Sequence, residues 1–324
     1  MVELLGPSAL VIAVGLLATT ASLANQVYFM NALVSVAIVV AIYALMAVGI
    51  GLVFGVLRLV NFAYGQLVMA GAYTLAFTSA WPVPLSIAAC FGVVVALSLA
   101  METVVFRPLR GQSPAVMLVT TFAIAFLLQA IALIIDLRDN TLGEVAASIT
   151  SLNEPISVGG VDIRKITLVS VAAAAFALLA LALLLTRTTI GLHTRAAATD
   201  FRTARLLGVR ANRVIALSVV LSGLLAAAVA VMMTVQFPLV SPDFALRDTI
   251  VVLVGVVVGG IDRLWTATLG GFTIGFVSGV LNGALPTDKT VYLPSAVFAL
   301  VILVLLLRPA GLFAWGRRAA VERA

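Results

Sequence analysis

The sequence predicts an all-α fold: a polytopic transmembrane helix bundle of about 8–10 spans, including broken or short helices, with both termini cytoplasmic. Hydrophobic residues occupy 63% of the 324 positions, charged residues occupy 10%, and the mean hydropathy is +1.23. Because soluble domains carry about a quarter charged residues, this composition indicates a protein of the lipid bilayer. We expect residues 1–324 to form a single transmembrane domain.

The apolar runs follow one another with short polar breaks between them. In order they cover roughly Ser8–Ala24, Asn31–Leu57, the run that follows Asn61–Gln66 and ends at about Ala80, Pro84–Phe106, Pro114–Ile135, Ile166–Thr186, Val214–Gln236, Asp248–Ile261, Leu264–Leu285 and Val291–Leu307. The first run could be a cleaved signal, since Ser22-Leu23-Ala24 resembles a cleavage site. We favour a retained span. The residues before this run include the acidic Glu3 and no basic residue, whereas a signal peptide begins with a basic segment.

A polar cluster interrupts the apolar sequence between the second and third runs. It contains Asn61, Tyr64, Gly65 and Gln66. Polar groups are expensive in lipid, and they are tolerated where a helix breaks to line a cavity or packs inside a bundle. These four residues are therefore candidates for a substrate pathway, while a tight cytoplasmic turn between two spans is the alternative.

Four glycines recur at every fourth position of the ninth run, namely Gly271, Gly275, Gly279 and Gly283. Small residues in line on one helix face leave a groove into which a neighbouring helix packs closely. We expect a packing role here rather than a direct contact with the pathway.

The segment Arg187–Arg213 is the most basic part of the chain, with six arginines and the single histidine, His193. Wound as a helix, it places Ala197, Phe201, Ala204 and Gly208 on one face and Arg195, Arg202 and Arg210 on the other, with Leu206 among the arginines. Gly208 is a natural end for such a helix. The pattern predicts a short amphipathic helix at the membrane surface.

The distribution of basic residues gives the orientation. With alternating spans, the segments on the side of the basic loop hold 14 of the 19 lysines and arginines. Basic residues are enriched in cytoplasmic loops, so this loop and both termini are expected in the cytoplasm. The acidic segment Asp136–Lys165 then faces outward.

The chain lacks the residues that most enzymes and coupled carriers need. It has no Gly-x-x-x-x-Gly-Lys-Ser/Thr loop, one histidine in a basic loop, and one cysteine, Cys90, in an apolar run. These features argue against ATP binding by this chain, a zinc site or a Ser-His-Asp triad. The acids cluster at the ends of spans, which also disfavours an ion-coupled carrier. We therefore expect no enzyme activity, no metal and no cofactor, and an energy source in another subunit.

Several segments resemble one family in the same order and spacing. They are Gly51–Gly55 through Asn61–Gly65, Glu102–Arg110, Gly191–Asp200, Leu207–Val209 through Arg213–Leu217, Val258–Ile261 and Arg308–Leu312. From about residue 31 to 313 the chain resembles the permeases of bacterial ABC importers for branched-chain amino acids. The resemblance implies a bacterial inner-membrane location, two ATPase subunits that bind the ATP, a second permease subunit and a periplasmic binding protein.

The resemblance also gives the basic loop a role. It implies that residues 187–213 form a cytoplasmic coupling loop that contacts the ATPases. The matching positions are Arg195, Ala198, Asp200, Arg202, Arg205, Leu206 and Gly208.

Two positions depart from the family pattern, and they leave the solute open. Asp262-Arg263-Leu264-Trp265 stands where relatives usually have small residues, and Tyr64 stands where a histidine or another polar residue is common. Urea or short amides are therefore alternative solutes. From another class, a self-sufficient secondary transporter or channel is the alternative function, with the basic loop resting on anionic lipid.

Overall fold

The computed structural model describes residues 23–57, 61–109, 112–139, 154–158, 161–199, 201–208, 211–237, 239–260, 264–284 and 292–307. The predicted first span lies almost entirely outside these residues, as do Asp200 and the Asp262-Arg263 turn.

Helices account for nearly all of the described chain, which confirms the predicted all-α bundle. In order they are α1 (Leu23–Leu57), α2 (Tyr64–Phe77), α3 (Val83–Met101), α4 (Pro114–Asp139), α5 (Lys165–Arg187), α6 (Thr189–Thr199), α7 (Phe201–Leu206), α8 (Ala211–Gln236), α9 (Leu246–Gly259), α10 (Leu264–Ala284) and α11 (Leu293–Leu307). A single π turn, Glu102–Phe106, continues α3, and Arg107 N–H donates to the Glu102 carbonyl at 2.8 Å across it.

A short hairpin precedes α5, where the sequence predicted only a polar loop. Strands β1 (Pro155–Val158) and β2 (Val161–Arg164) pair antiparallel, with Val158 opposite Val161. Lys165 Nζ donates to Glu154 Oε2 at 2.8 Å beside the hairpin, and this bond and the lysine charge lower the pKa of the Glu154 carboxyl. An exposed pair of this kind contributes little to stability.

Five of the described helices are long and apolar enough to cross a bilayer. The apolar stretches are Val36–Leu57, Val83–Phe106, Ala115–Asp136, Lys165–Arg187 and Asn212–Gln236. In α1 89% of the most apolar window is buried, and in α8 61%, whereas the windows of α3, α4 and α5 are only 17–22% buried. Helices α1 and α8 therefore form the centre of the bundle, and the other three lie at its periphery.

Helix α10 packs along α1 through its glycines. A Cβ on Gly275 would lie 3.0 Å from the Cα of Val40, and one on Gly279 would lie 3.1 Å from the Cα of Val36. At Gly271 the added atom would collide with Ala47 Cβ and lie 2.9 Å from the Tyr43 carbonyl oxygen. Glycine thus lets the two backbones approach along two turns of α10. Gly283 lies in α10, one turn further on.

Three acids are more deeply buried than their positions at helix ends suggest. Tyr73 donates to Asp136 Oδ2 at 2.7 Å, and Asp136 is 2% exposed. Tyr43 donates to Asp248 Oδ1 at 2.6 Å, and Glu102 is buried at the start of the π turn. The sequence placed Asp136 in the outer loop, but the structure places it in the last turn of α4, where it joins α4 to α2.

Candidate functional site

The break between α1 and α2 is buried inside the bundle. Asn61 is 3% exposed, Tyr64 is fully buried and Gln66 is 1% exposed. The side chain of Asn61 turns back on its own backbone, since Asn61 Oδ1 accepts a hydrogen bond from the Ala63 N–H at 3.1 Å. These polar side chains are therefore enclosed by the bundle rather than exposed to water in the single chain.

Tyr64 lies directly against the backbone of α1. A Cβ on Gly49 would be 2.7 Å from Tyr64 Cε2, so a glycine is required for this contact. The carbonyl of Gly49 accepts a hydrogen bond from Ser222 Oγ of α8 at 2.8 Å. Helices α1, α2 and α8 therefore meet at Gly49, and the Tyr64 hydroxyl has no hydrogen-bond partner among the described residues.

The next residue, Gly65, places α2 against the start of α9. A Cβ on Gly65 would lie 3.0 Å from the Ala245 carbonyl oxygen and 3.1 Å from Thr249 Cβ. The hydroxyl of Thr249 is already used, because it donates to that same carbonyl at 2.7 Å. The close approach brings α9 to the buried break.

Gln66 faces the seam between α2 and α4. Gln66, Met69 and Tyr73 recur at positions i, i+3 and i+7, which share one helix face. Tyr73 on that face bonds Asp136 of α4. Gln66 Oε1 has no hydrogen-bond partner in the described part of the chain. A buried acceptor without a partner carries a desolvation penalty of about 1–3 kcal/mol, so this oxygen is suited to bind a donor that arrives from outside the chain.

A small apolar cavity of about 50 Å³ lies beside this break. Two aromatic contacts form one side of it: the rings of Phe62 and Phe122 meet edge to face at 4.9 Å between centroids, and those of Phe122 and Phe126 are 5.2 Å apart. The residues around the cavity come from the turn before α2, from α4 and from α9. They are Phe62, Phe122, Ala125, Phe126, Gln129, Leu246 and Ile250.

The basic loop folds as two helices, α6 and α7, where the sequence predicted one. Ala197 and Ala204 are both buried, as the helical pattern predicts. Leu206 and Leu207 are 84% and 80% exposed at the far end. Gly208 follows with φ of +87°, a conformation that favours glycine. An exposed apolar tip, formed by Leu206 and Leu207, thus lies at the end of α7 and is followed by a turn at Gly208.

The remaining predicted coupling residues distribute along the same two helices. Arg195 is exposed on α6, Ala198 lies in α6, and Arg202 and Arg205 lie in α7. Helix α6 contacts α1, α5 and α8. The same two central helices, α1 and α8, meet at Gly49, against which Tyr64 lies. They therefore connect the basic segment with the buried break, although the two sets of residues are separate sites.

The sequence did not single out Gly49, Ser222, Thr249 or the apolar residues around the cavity, although Gln129 stood out as a polar group within its span. Gly49 stands in a glycine-containing run, but nothing along the chain indicates that Tyr64 will meet it. Within the described ranges no cluster of three or more histidine, cysteine, aspartate or glutamate side chains is arranged to hold a metal ion.

Comparison with known proteins gives the family. The model of the family described as "Branched-chain amino acid transport system / permease component" matches residues 32–307. The chain belongs to this family. The match covers the helices from α1 to α11, including the buried break and the basic segment.

Individual relatives of this permease family agree. The high-affinity branched-chain amino acid transport system permease protein BraD of Pseudomonas aeruginosa is 30% identical over 297 residues, which cover 88% of this chain and 95% of BraD. The permease protein LivH of Escherichia coli K12 is 28% identical over 302 residues, again covering 88% and 95%. This permease is accordingly a multi-pass membrane protein and a transporter component rather than an enzyme.

Among solved structures, PsaBC from Streptococcus pneumoniae in complex with Fab is similar over 92% of this chain and 94% of that chain, with 15% identity and a TM-score of 0.46. This likeness is too weak to support a conclusion.

Proposed function

We propose that this permease is the transmembrane subunit of an ATP-binding-cassette importer in the bacterial inner membrane. It forms the pathway for branched-chain or related amino acids, which a periplasmic binding protein hands over. Two ATPase subunits and a second permease subunit complete the complex, and the ATP is bound by the partners. The family match over residues 32–307 carries this proposal.

The basic segment supports a coupling role. Its tip exposes two leucines beside a glycine turn, while Ala197 and Ala204 anchor its other face. Exposed apolar side chains at a cytoplasmic surface favour contact with a protein partner. Helix α6 rests on α1 and α8, so a push on this segment reaches the central helices.

The buried break supports a pathway role for Asn61, Tyr64, Gly65 and Gln66. Within a membrane bundle, unpartnered polar groups are kept where they line a route for a polar solute. Both the Tyr64 hydroxyl and Gln66 Oε1 are buried and without partners among the described residues. The contacts of Gly49 and Gly65 hold this break in place against α1 and α9.

The decisive experiment is purification of the tagged protein from its native membrane in detergent, followed by identification of the copurifying chains. An ATPase and a second, similar permease are the expected companions. If the protein emerges alone or as a homodimer without ATPase, the importer role fails, and a secondary transporter or channel becomes the function to test.

A charge-reversal variant identifies the docking surface in the same preparation. We expect Arg202→Glu combined with Arg205→Glu to reduce the copurified ATPase several-fold while leaving the second permease bound. Arg164→Glu, at an exposed position at the end of the hairpin, is the matched charge control. Unchanged ATPase recovery in the double variant would remove these arginines from the docking surface.

A further inference from the structure

The apolar cavity beside the buried break opens towards the surface of the single chain. Phe122 and Phe126 on its rim are 41% and 57% exposed. Ala125, also on α4, lies deeper and is 5% exposed. Gln129 is the one lining residue that carries a polar group. The cavity is thus an apolar recess that a molecule entering beside α4 can reach.

The volume of the recess restricts its occupant. A cavity of roughly 150 Å³ accepts a benzene ring, whereas this one has about 50 Å³. By that scale it accommodates about two or three carbons, the size of the branched end of a valine or leucine side chain. An aromatic side chain is too large, and a lipid acyl chain would enter only with its last carbons.

A polar acceptor lies close to the recess along the chain. Phe62 lines the cavity from the turn before α2, and Gln66 lies in the first turn of α2. Gln66 Oε1 is buried without a partner among the described residues, so a donor from a bound molecule would remove its desolvation penalty. A lipid tail has no donor to offer, whereas an amino acid carries one in its amino group.

We propose that this recess binds the branched aliphatic side chain of the transported amino acid, with Gln66 accepting a hydrogen bond from the amino group of the same molecule. The inference rests on the proposed importer function and specifies where the solute is recognised. The volume of the recess then determines which amino acid is selected, and it is set by Ala125, Phe126 and Ile250.

The test measures ATP-driven uptake of radiolabelled valine and leucine by the complete transporter in proteoliposomes, each solute delivered by the same saturating binding protein. Ala125→Val narrows the recess. We expect the leucine-to-valine uptake ratio to fall by at least about 10-fold, since excluding a single methylene from an apolar pocket is worth about 10–200-fold. Phe126→Ala widens the recess and shifts the ratio in the opposite direction.

Ala123→Val is the matched control, because Ala123 is exposed on the same helix and does not line the recess. We expect Ala123→Val to leave the leucine-to-valine uptake ratio unchanged. The amount of copurified ATPase and the elution volume in size-exclusion chromatography establish that each variant assembles into the complete transporter. Opposite shifts in the narrowing and widening variants support the proposal, even if the absolute rates fall.

Two outcomes contradict the recess and spare the importer function. One is an unchanged leucine-to-valine uptake ratio in both cavity variants. The other is an equal loss of leucine and valine uptake, which would indicate that the recess serves packing or holds lipid. Failure of the unmodified transporter to take up either amino acid overturns the proposed function itself and the recess with it.

Discussion

At the residue scale, the buried break depends on contacts between groups that are far apart in sequence. Gly49 admits the Tyr64 ring against α1, and Ser222 bonds the carbonyl of that glycine. Asn61 stabilises the turn locally through the Ala63 N–H. Tyr64 and Tyr43 differ in the hydrogen bonding of their hydroxyl groups. The Tyr43 hydroxyl donates to Asp248, whereas the Tyr64 hydroxyl has no partner among the described residues.

The two tyrosines make a matched pair. We expect Tyr64→Phe to leave the unfolding temperature unchanged or slightly raised, because it removes a buried hydroxyl that lacks a protein partner. Tyr43→Phe removes a hydrogen bond to a carboxyl group and lowers stability by about 1–3 kcal/mol. Thermal unfolding in detergent measures both. A Tyr64→Phe protein as destabilised as Tyr43→Phe would mean that the Tyr64 hydroxyl is bonded.

Asn61 tests the pathway at the same scale. Asn61→Ala loses the acceptor for the Ala63 N–H, at a cost of about 1 kcal/mol by analogy with helix caps, and we expect uptake to be impaired although the folded protein accumulates. Asn61→Ser keeps a side-chain acceptor for the Ala63 N–H without adding a charge, and it is the control for the turn. Normal uptake by a fully expressed Asn61→Ala protein would remove this residue from the pathway.

At the element scale, glycine spacing decides how closely the helices pack. The contact between α1 and α10 follows Gly271, Gly275 and Gly279, where an added Cβ would meet main-chain atoms of α1. Main-chain atoms cannot rotate away as a side chain does, so the helices themselves must separate. Gly92 in α3 is different, because a Cβ there has nothing within 4 Å.

These two positions predict opposite effects of adding side-chain atoms. Gly275→Val is expected to destabilise by about 1–3 kcal/mol or more, since it overpacks the contact between α1 and α10. Gly92→Ala is expected to stabilise by about 0.5–1 kcal/mol, because alanine favours the helix and finds open space. Unfolding temperatures compare the two, and equal effects would show that α10 does not press on α1.

The turn at the end of α7 makes a second prediction for an element. Gly208 has φ of +87° with open space around it, so only the backbone conformation resists a side chain. We expect Gly208→Leu to abolish uptake while the protein remains folded, because the tip is redirected. Gly208→Asn should retain part of the activity, since asparagine tolerates positive φ better than other residues. Equal activity in both variants would separate this turn from coupling.

At the scale of the whole molecule, α1 and α8 form a central pair to which both candidate sites connect. Helix α6 contacts both of them, and at Gly49 α1 meets both Tyr64 of α2 and Ser222 of α8. The peripheral helices α3, α4 and α5 are mostly exposed along their apolar windows, as expected for surfaces in contact with lipid or another subunit. The basic segment and the break are therefore joined through the most buried helices.

Orientation is a property of the whole molecule, and the chain offers a simple test. Cys90 is buried, so the natural protein gives little background with a membrane-impermeant thiol reagent. We expect Glu154→Cys to react from outside intact cells and Arg195→Cys to react only after permeabilisation, because basic loops stay inside. The reverse pattern would invert the assigned topology.

Hydropathy and the spacing of small residues determine the class, the helical bundle and the existence of a polar break at Asn61, because each follows from the cost of placing backbone or polar groups in lipid. The pattern of Ala197, Ala204 and Leu206 likewise shows which face of the basic segment is buried. Tertiary packing alone decides that Tyr64 meets Gly49, that Asp136 is held by Tyr73, and that α4 and α9 leave a recess beside Phe62. These contacts join residues on different helices, and no local periodicity specifies which side chains of two helices meet.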